Sequence, residues 1–318
     1  MYLGVDLGGI NIAVGLVDDS YHIVKKESVP TGRLRPFEEI MKDMADLCKK
    51  VTEDAGYTMA DVKSIGIGSP GTPDVENCRV VYTNNIVNFV DVSVGAELRK
   101  YFPGMDVYLE NDANAAAYGE ILAGAARSLS NAVMVTLGTG VGGGVIIDNK
   151  IYAGFNHAGS EIGHMVITYD GEPCTCGRKG CLEAYASATA LISQTAKMIE
   201  QYPDSVIHQM IDHNPENING KTAFDAMRAG DEAGKRIVEQ YLNYLGAGLA
   251  NIVNLFQPEA IVIGGGISKE GETILAPLRK YVAENSYTCD VPSTKLITAE
   301  LGNDAGIVGA AFLWKQAQ

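Results

Sequence analysis

The stretch EIGHMVITYDGEPCTCGRKGCLEAYAS packs three cysteines, Cys174, Cys176 and Cys181, into eight residues. The first lies ten residues after His164, and the group falls between Glu161 and Glu183. Thiolate and imidazole are ligands that zinc prefers. Neighbouring cysteines can equally pair as a disulfide, cycle as a redox couple, or sit together by chance. On this stretch alone all four readings stay open.

A second chemistry is written in glycines. LGTGVGG contains G-x-G-x-x-G at Gly138, Gly140 and Gly143. A dinucleotide fingerprint needs a helix straight after the turn, so that its N-terminus meets the pyrophosphate. Here GVIIDNKIY follows, β-branched and leading into another turn, so that reading fails. The chain has no G-x-x-x-x-G-K-[ST] either, which excludes a P-loop. What remains is three glycine turns at strand ends, Gly8-Gly9, Gly138-Thr139-Gly140 and Gly264-Gly265-Gly266. Glycine lets backbone N–H groups approach an anion closely, so such turns can hold phosphate. Each one singly reads as a tight β-turn; three together, two of them in duplicated positions, favour phosphate.

Two aspartates stand beside these turns. Asp6 ends the first strand before Gly8-Gly9 and suits Mg²⁺, which takes oxygen ligands and keeps several waters. Asp112 falls where a strand meets an Ala-rich helix. One reading makes it the helix N-cap. The other makes it a general base, kept ionised by the helix N-terminus and able to take a proton from a hydroxyl attacking a phosphoryl group. The residue types leave the two about even.

The elements that must carry these residues repeat. YLGVDLGGINIAVGLVDDSYHIV and AVMVTLGTGVGGGVIIDNKIYAG both read strand, Gly turn, strand, turn, strand. The offset is constant, 130 residues from Gly8 to Gly138 and from Asp18 to Asp148. Two copies of one hairpin unit, each followed by helices and further strands, predict two similar α/β domains. Helical spacing predicts helices in PFEEIMKDMADLCKKVTEDAG, in the segment after Glu110, and over about 232–256, where Ile237, Tyr241, Leu245, Leu249, Ile252 and Phe256 form a stripe before Pro258. A closing helix in NDAGIVGAAFLWKQ is capped by Asn303 or Asp304. Ile10, Ile12, Val14 and Leu16 alternate as one face of the second strand.

At 318 residues and 46% hydrophobic the chain has material for one large or two ordinary folded domains. A net charge of −14 opposes nucleic acid and anionic membranes as partners. No apolar run approaches the ~20 residues of a membrane span, and MYLGVDLGG lacks the basic start and apolar core of a signal peptide, so a cytoplasmic protein is expected. Disulfides are rare there, which moves the cysteine cluster towards metal or redox chemistry. Cys48, Cys78 and Cys289 are scattered and read as plain thiols.

With these residues laid out, the chain resembles the ROK family of bacterial sugar kinases and repressors, and within it the glucokinases. DLGGINIAVGLVD, GIGSPGTPD, ENDANAAAYGE, VTLGTGVGGGVI, HAGSEIGHM, CTCGRKGCLEAYAS and VIGGGIS carry the likeness nearly end to end. E-x-G-H followed by C-x-C-G-x-x-G-C-x-E is the specific part. The resemblance implies an α/β actin/hexokinase-like fold, two ribonuclease-H-like domains flanking a cleft. We set the boundaries at 1–112 plus 303–318 and at 113–302, the second carrying the zinc site and the adenosine loop. It implies ATP-dependent phosphorylation of a hexose, glucose first, with Mg²⁺, in a homodimer; an N-acetylmannosamine kinase or fructokinase is the alternative. By motif, Asp112 is the general base, and Asn85, Asn111, Asp112, Glu161, His164 and Glu183 contact the sugar. Asp6, Gly8, Gly9, Ile10, Asn11, Gly138, Thr139, Gly140, Gly265 and Gly266 serve the nucleotide and its metal. His164, Cys174, Cys176 and Cys181 bind zinc.

One His and three Cys make the four ligands of a closed, structural zinc site, and Glu161 and Glu183 bracket them, so the metal would fix two sugar-binding carboxylates at once. Cys174-Thr-Cys176 is not C-x-x-C, which counts against a redox pair. Two departures from the family stand in the first phosphate loop: Ile10 where Thr is usual, and Asn11 and Ala13 where a basic residue is often found. A repressor of the family carries an added helix-turn-helix; here the first strand begins by Tyr2, and the acidic charge agrees with a kinase. An actin-like or chaperone-like ATPase would have no use for zinc-anchored acidic residues.

Overall fold

The computed structural model describes residues 1–83, 85–287, 291 and 293–317. Cys289 lies outside the described residues. In chain order the strands and α-helices are β1 (Tyr2–Leu7), β2 (Asn11–Val17), β3 (Ile23–Pro30), α1 (Phe37–Asp54), β4 (Ser64–Ser69), β5 (Thr72–Asp74), β6 (Arg79–Tyr82), α2 (Val94–Tyr101), β7 (Asp106–Asn111), α3 (Asp112–Leu122), β8 (Ala132–Leu137), β9 (Val141–Ile147) and β10 (Lys150–Ile151). They continue with α4 (Glu183–Ala186), α5 (Ala188–Ile199), α6 (Ile207–Met210), α7 (Thr222–Arg228), α8 (Glu232–Phe256), β11 (Ala260–Gly265), α9 (Glu272–Asn285), β12 (Lys295–Thr298) and α10 (Ala305–Ala311).

The duplication read from the hairpins extends to the sheets. One runs β3-β2-β1-β4-β7 and the other β10-β9-β8-β11-β12. In the first, β1 pairs antiparallel with β2 and parallel with β4, which pairs parallel with β7. In the second, β9 and β10 are antiparallel and β11 and β12 parallel. Tight turns can join antiparallel strands, whereas each parallel neighbour needs a crossover, and that is where the helices enter.

Contacts divide the chain into two units, Met1–Met134 with Gly144–Ser160 and Glu300–Gln318, and Val135–Gly143 with Glu161–Ala299. Residues 113–134, 144–160 and 300–302 therefore group with the first unit, where the sequence boundaries at 112 and 302 had put them with the second. The reason is the seat of α3. A Cβ on Gly309 of α10 would lie 1.7 Å from the carbonyl oxygen of Ala115, so only glycine lets these two helices meet at backbone distance. Gly66 does the same for β4, with the Ala310 carbonyl 1.8 Å from its would-be Cβ.

In the first unit Leu3, Val5, Ile12, Val14 and Leu16 bury against Ile40, Met41 and Met44 of α1. Each such aliphatic side chain contributes roughly 1.5–3 kcal/mol on burial. The second unit is built around α8, whose Ile237, Tyr241, Leu245, Leu249 and Ile252 are buried. The Tyr241 hydroxyl donates to the Ala186 carbonyl at 2.8 Å. Phe256, placed on the same stripe by spacing, is 37% exposed, one residue before Gln257 ends the helix in the left-handed region. No helix among the described residues is long and apolar enough to cross a membrane. Asp304 does stand at the N-cap of α10, yet its carboxylate makes no capping bond and accepts the Lys26 ammonium at 2.6 Å instead. Cys48 and Cys78 are buried thiols.

Candidate active site

In the first unit β1 delivers Asp6 to the glycine turn. The turn is held by main-chain geometry: the Gly8 N–H donates to the Asn11 carbonyl at 2.9 Å and the Thr31 N–H to the Ile10 carbonyl at 2.7 Å. The Thr31 hydroxyl closes it on the Gly8 carbonyl at 2.6 Å. Gly9 faces Asn85, whose carbonyl oxygen would lie 3.3 Å from a Cβ there. Ile10 departs from its expected place. Ile12, Val14 and Leu16 are fully buried, whereas Ile10 precedes β2 and is 80% exposed, so it belongs to the turn and not to the apolar face of the strand.

The candidate base and the helix N-cap are neighbouring residues. Asn111 is the N-cap of α3, its Oδ1 accepting the N–H groups of Ala113 at 2.9 Å and Asn114 at 3.2 Å. Its Nδ2 donates to the Gly71 carbonyl at 3.1 Å. Asp112 occupies the first helical position, with Oδ1 accepting the Ala113 N–H at 2.9 Å. The cap is thus supplied by the neighbour, and Asp112 sits in the positive field of the helix end. Burial and then the charge of Asp112 push the Asp6 carboxyl up to about 6. Glu110, next to Asn111 on β7, is also raised by burial, with Oε1 accepting from the Asn111 N–H at 2.9 Å and from Asn114 Nδ2 at 3.0 Å. A buried carboxyl that feels a second carboxylate suits a divalent cation.

In the second unit the turn Gly138–Gly140 is clamped from three sides. The Ala188 N–H donates to the Gly138 carbonyl at 2.8 Å, and the Thr189 hydroxyl to the Thr139 carbonyl at 2.7 Å. Glu183 Oε2 accepts the Val141 N–H at 3.0 Å. Packing there is tight enough that a Cβ on Gly140 would meet that carboxylate oxygen at 2.4 Å. The other oxygen, Oε1, accepts the Thr175 hydroxyl at 2.8 Å. At the end of β11, Gly265 takes φ +84°, and the Leu137 carbonyl oxygen would lie 2.4 Å from a Cβ there. Gly266 follows at the start of a short 3-10 turn, and nothing comes within 4 Å of its would-be Cβ.

The four candidate metal ligands converge. One donor atom each from His164, Cys174, Cys176 and Cys181 all lie within 4.8 Å of one another. His164 Nδ1 and Cys174 Sγ are 3.6 Å apart, and the sulfurs of Cys176 and Cys181 3.7 Å. A tetrahedral zinc with Zn–S of about 2.3 Å and Zn–N of about 2.05 Å requires separations of about 3.6 Å for N···S and about 3.75 Å for S···S. The residues fit. The Arg178 backbone N–H pulls the Cys176 thiol down to about 6, towards the thiolate a metal needs. The segment around His164 is pinned beside the cysteine loop: the Leu182 N–H donates to the Met165 carbonyl at 2.8 Å, and the Arg178 guanidinium to the His164 carbonyl at 2.8 Å. Glu161 precedes His164 by one 3-10 turn, its carbonyl accepting the His164 N–H at 3.0 Å. With Nδ1 turned to Cys174, the Nε2 edge of the imidazole is left for another partner.

The sequence reading missed Thr175, Thr189, Thr31 and Glu110. Thr175 carried a signal, a hydroxyl set between two ligands. Thr189 follows the Ser187 cap of α5 and reads as ordinary capping chemistry.

Comparison with known proteins agrees with this geometry. The profile of the ROK family matches residues 2–317. A glucokinase of Thermotoga maritima is 37% identical over 99% of this chain and 97% of its own. A xylose repressor of Caldicellulosiruptor bescii is 30% identical over 96% of this chain and 76% of its own. A ROK family glucokinase of Streptomyces griseus, solved in complex with glucose and AMPPNP, superposes with a TM-score of 0.80 at 35% identity, covering 98% of both chains.

Proposed function

The chain belongs to the ROK family, and from that premise we propose that it transfers the γ-phosphoryl group of ATP to glucose, giving glucose 6-phosphate and ADP. The observation that carries the chemistry is the division of labour at α3. Asn111 is the N-cap residue of the helix, and Asp112 at the first helical position holds the Ala113 N–H with Oδ1 only, so the carboxylate is suited to act as the base. In the reaction a sugar hydroxyl gives its proton to the Asp112 carboxylate as its oxygen attacks the γ-phosphorus. The bond to the bridging oxygen breaks, and ADP leaves with that electron pair.

Asn85, Asn111, Glu161, His164 and Glu183 are assigned to the sugar hydroxyls together with Asp112. Asn111 and Glu183 do this with side chains already anchored by the protein. A carboxylate has about four acceptor positions, so Glu183 keeps room for a hydroxyl donor beside Val141 and Thr175. His164 would offer Nε2 while Nδ1 serves zinc. The turns at Gly8–Asn11 and Gly138–Gly140 are assigned to phosphate through their backbone N–H groups, and Gly265 and Gly266 to the adenosine side. Asp6 would hold Mg²⁺, which neutralises phosphate charge when bound. Zinc on His164, Cys174, Cys176 and Cys181 would be structural, since four protein ligands leave no open position.

A coupled assay with ATP across hexoses and N-acetylhexosamines tests the reading. Glucose should give the highest kcat/KM. Preference for N-acetylmannosamine or fructose would move the chain to the alternative kinases. Absence of turnover on every sugar, with sugar binding retained, would favour the regulator reading that the xylose repressor relatives raise.

A further inference from the structure

Glu183 joins two places that sequence keeps apart. Its Oε2 accepts the N–H of Val141, the first residue after the Gly138–Gly140 turn, and its Oε1 accepts the hydroxyl of Thr175, which stands between the metal ligands Cys174 and Cys176. Gly140 packs against the same carboxylate so closely that no side chain fits between them. One rigid group therefore touches the zinc loop with one oxygen and the phosphate turn with the other. Glu183 begins the short helix α4 after Leu182, whose N–H is tied to Met165, so its backbone has little freedom. The rotation of the side chain decides where the carboxylate points, and it is set by the Val141 N–H on Oε2 and, on Oε1, by the Thr175 hydroxyl at 2.8 Å and the Cys174 sulfur at 3.7 Å. Without the Thr175 hydroxyl, Oε1 loses its strongest partner, the carboxylate is held less firmly, and the Val141 N–H faces an acceptor that no longer fixes the turn's orientation.

We propose that Thr175 is a positioning residue for nucleotide binding: through Glu183 it orients the Gly138–Gly140 turn that receives phosphate. The zinc loop then serves the nucleotide as well as the sugar. This rests on the assignment of that turn to ATP phosphates. A merely structural Thr175 would affect metal retention or stability; a positioning Thr175 changes nucleotide affinity while leaving both intact.

The experiment measures AMPPNP affinity by calorimetry, zinc content and thermal midpoint for the wild type, Thr175→Val and Thr175→Ser. Val keeps the β-branched shape and removes the hydroxyl; Ser keeps the hydroxyl. Because Thr175 is exposed, the loss on Thr175→Val is expected at about three- to tenfold in Kd, the worth of one modest hydrogen bond to a charged acceptor. Zinc should stay stoichiometric, and Thr175→Ser should restore wild-type affinity. An unchanged Kd in Thr175→Val overturns the inference, as does a weaker Kd accompanied by zinc loss, or one that Ser fails to rescue. A wild type that does not bind AMPPNP at all overturns the kinase reading itself, a separate result.

Discussion

Ile10→Thr isolates what a single hydroxyl contributes to the first phosphate loop. The family usually places Thr where this chain has Ile10. The side chain is 80% exposed, and the turn around it is set by backbone bonds from Gly8 and Thr31 and by the Thr31 hydroxyl, none of which uses the Ile10 side chain. Both residues are β-branched, so the backbone preference is unchanged. Stability should accordingly stay within about 0.5 kcal/mol, the range of surface substitutions away from packing. The gain is a hydrogen bond to a phosphate, worth roughly 1.5–3 kcal/mol where fully formed. Exposure and the backbone donors already present reduce this, so about 1.4 kcal/mol, or tenfold, is the ceiling. The assay varies ATP at saturating sugar and then sugar at saturating ATP. We expect kcat/KM for ATP to rise by up to about tenfold and the sugar constants to hold. A thermal midpoint lower by several degrees would mean that Ile10 packs after all, and lost activity in a stable protein would refute the placement of phosphate at this turn.

Asp112→Asn should cut kcat by about two to four orders of magnitude with the fold retained, because Asn111 supplies the cap and the new amide oxygen can still accept the Ala113 N–H. Asn111→Ala should cost about 1 kcal/mol of stability in denaturant titration, the usual worth of an N-cap. Cys176→Ser should lower zinc content by elemental analysis and the melting temperature together, since metal binding and folding are coupled. In Mg²⁺-free protein the raised carboxyl of Asp6 makes the folded state hold a proton that the unfolded chain, titrating near 3.8, has released. Stability from this group should therefore fall as pH rises from about 4 to about 6, by at most ~3 kcal/mol, and Asp6→Asn should flatten that slope in urea titrations.

Local patterns were legible because their causes are local. The paired hairpins, α1 and the 232–256 helix follow from β-branched runs, glycine turns and apolar spacing, and the convergence of His164, Cys174, Cys176 and Cys181 accords with residue type and interval. Choices between neighbours were not. Asn111 and Asp112 both cap helices well, and only the backbone path decides which stands at the cap. Ile10 continues the alternation of Ile12 and Val14, but the strand begins one residue later than alternation can tell. Asp304 answers to Lys26, 278 residues away, and Glu183 to Val141, 42 residues away, and no spacing rule spans such distances. The unit division is set at similar range, with glycine contacts between α3 and α10 tying residues 113–122 to the first unit.

The seat of α10 also bears on the order in which the chain assembles as it is made. Its residues 305–311 are translated after the whole of the second unit, yet they fill the close approaches at Gly4, Gly66 and Gly119 in the first. Until they emerge, the sheet of the first unit lacks the helix that covers it beside α3. The second unit, whose 161–299 stretch is continuous, can mature while the first waits. Released chains truncated after residue 299 should thus resist protease in the second unit and remain cleavable in the first.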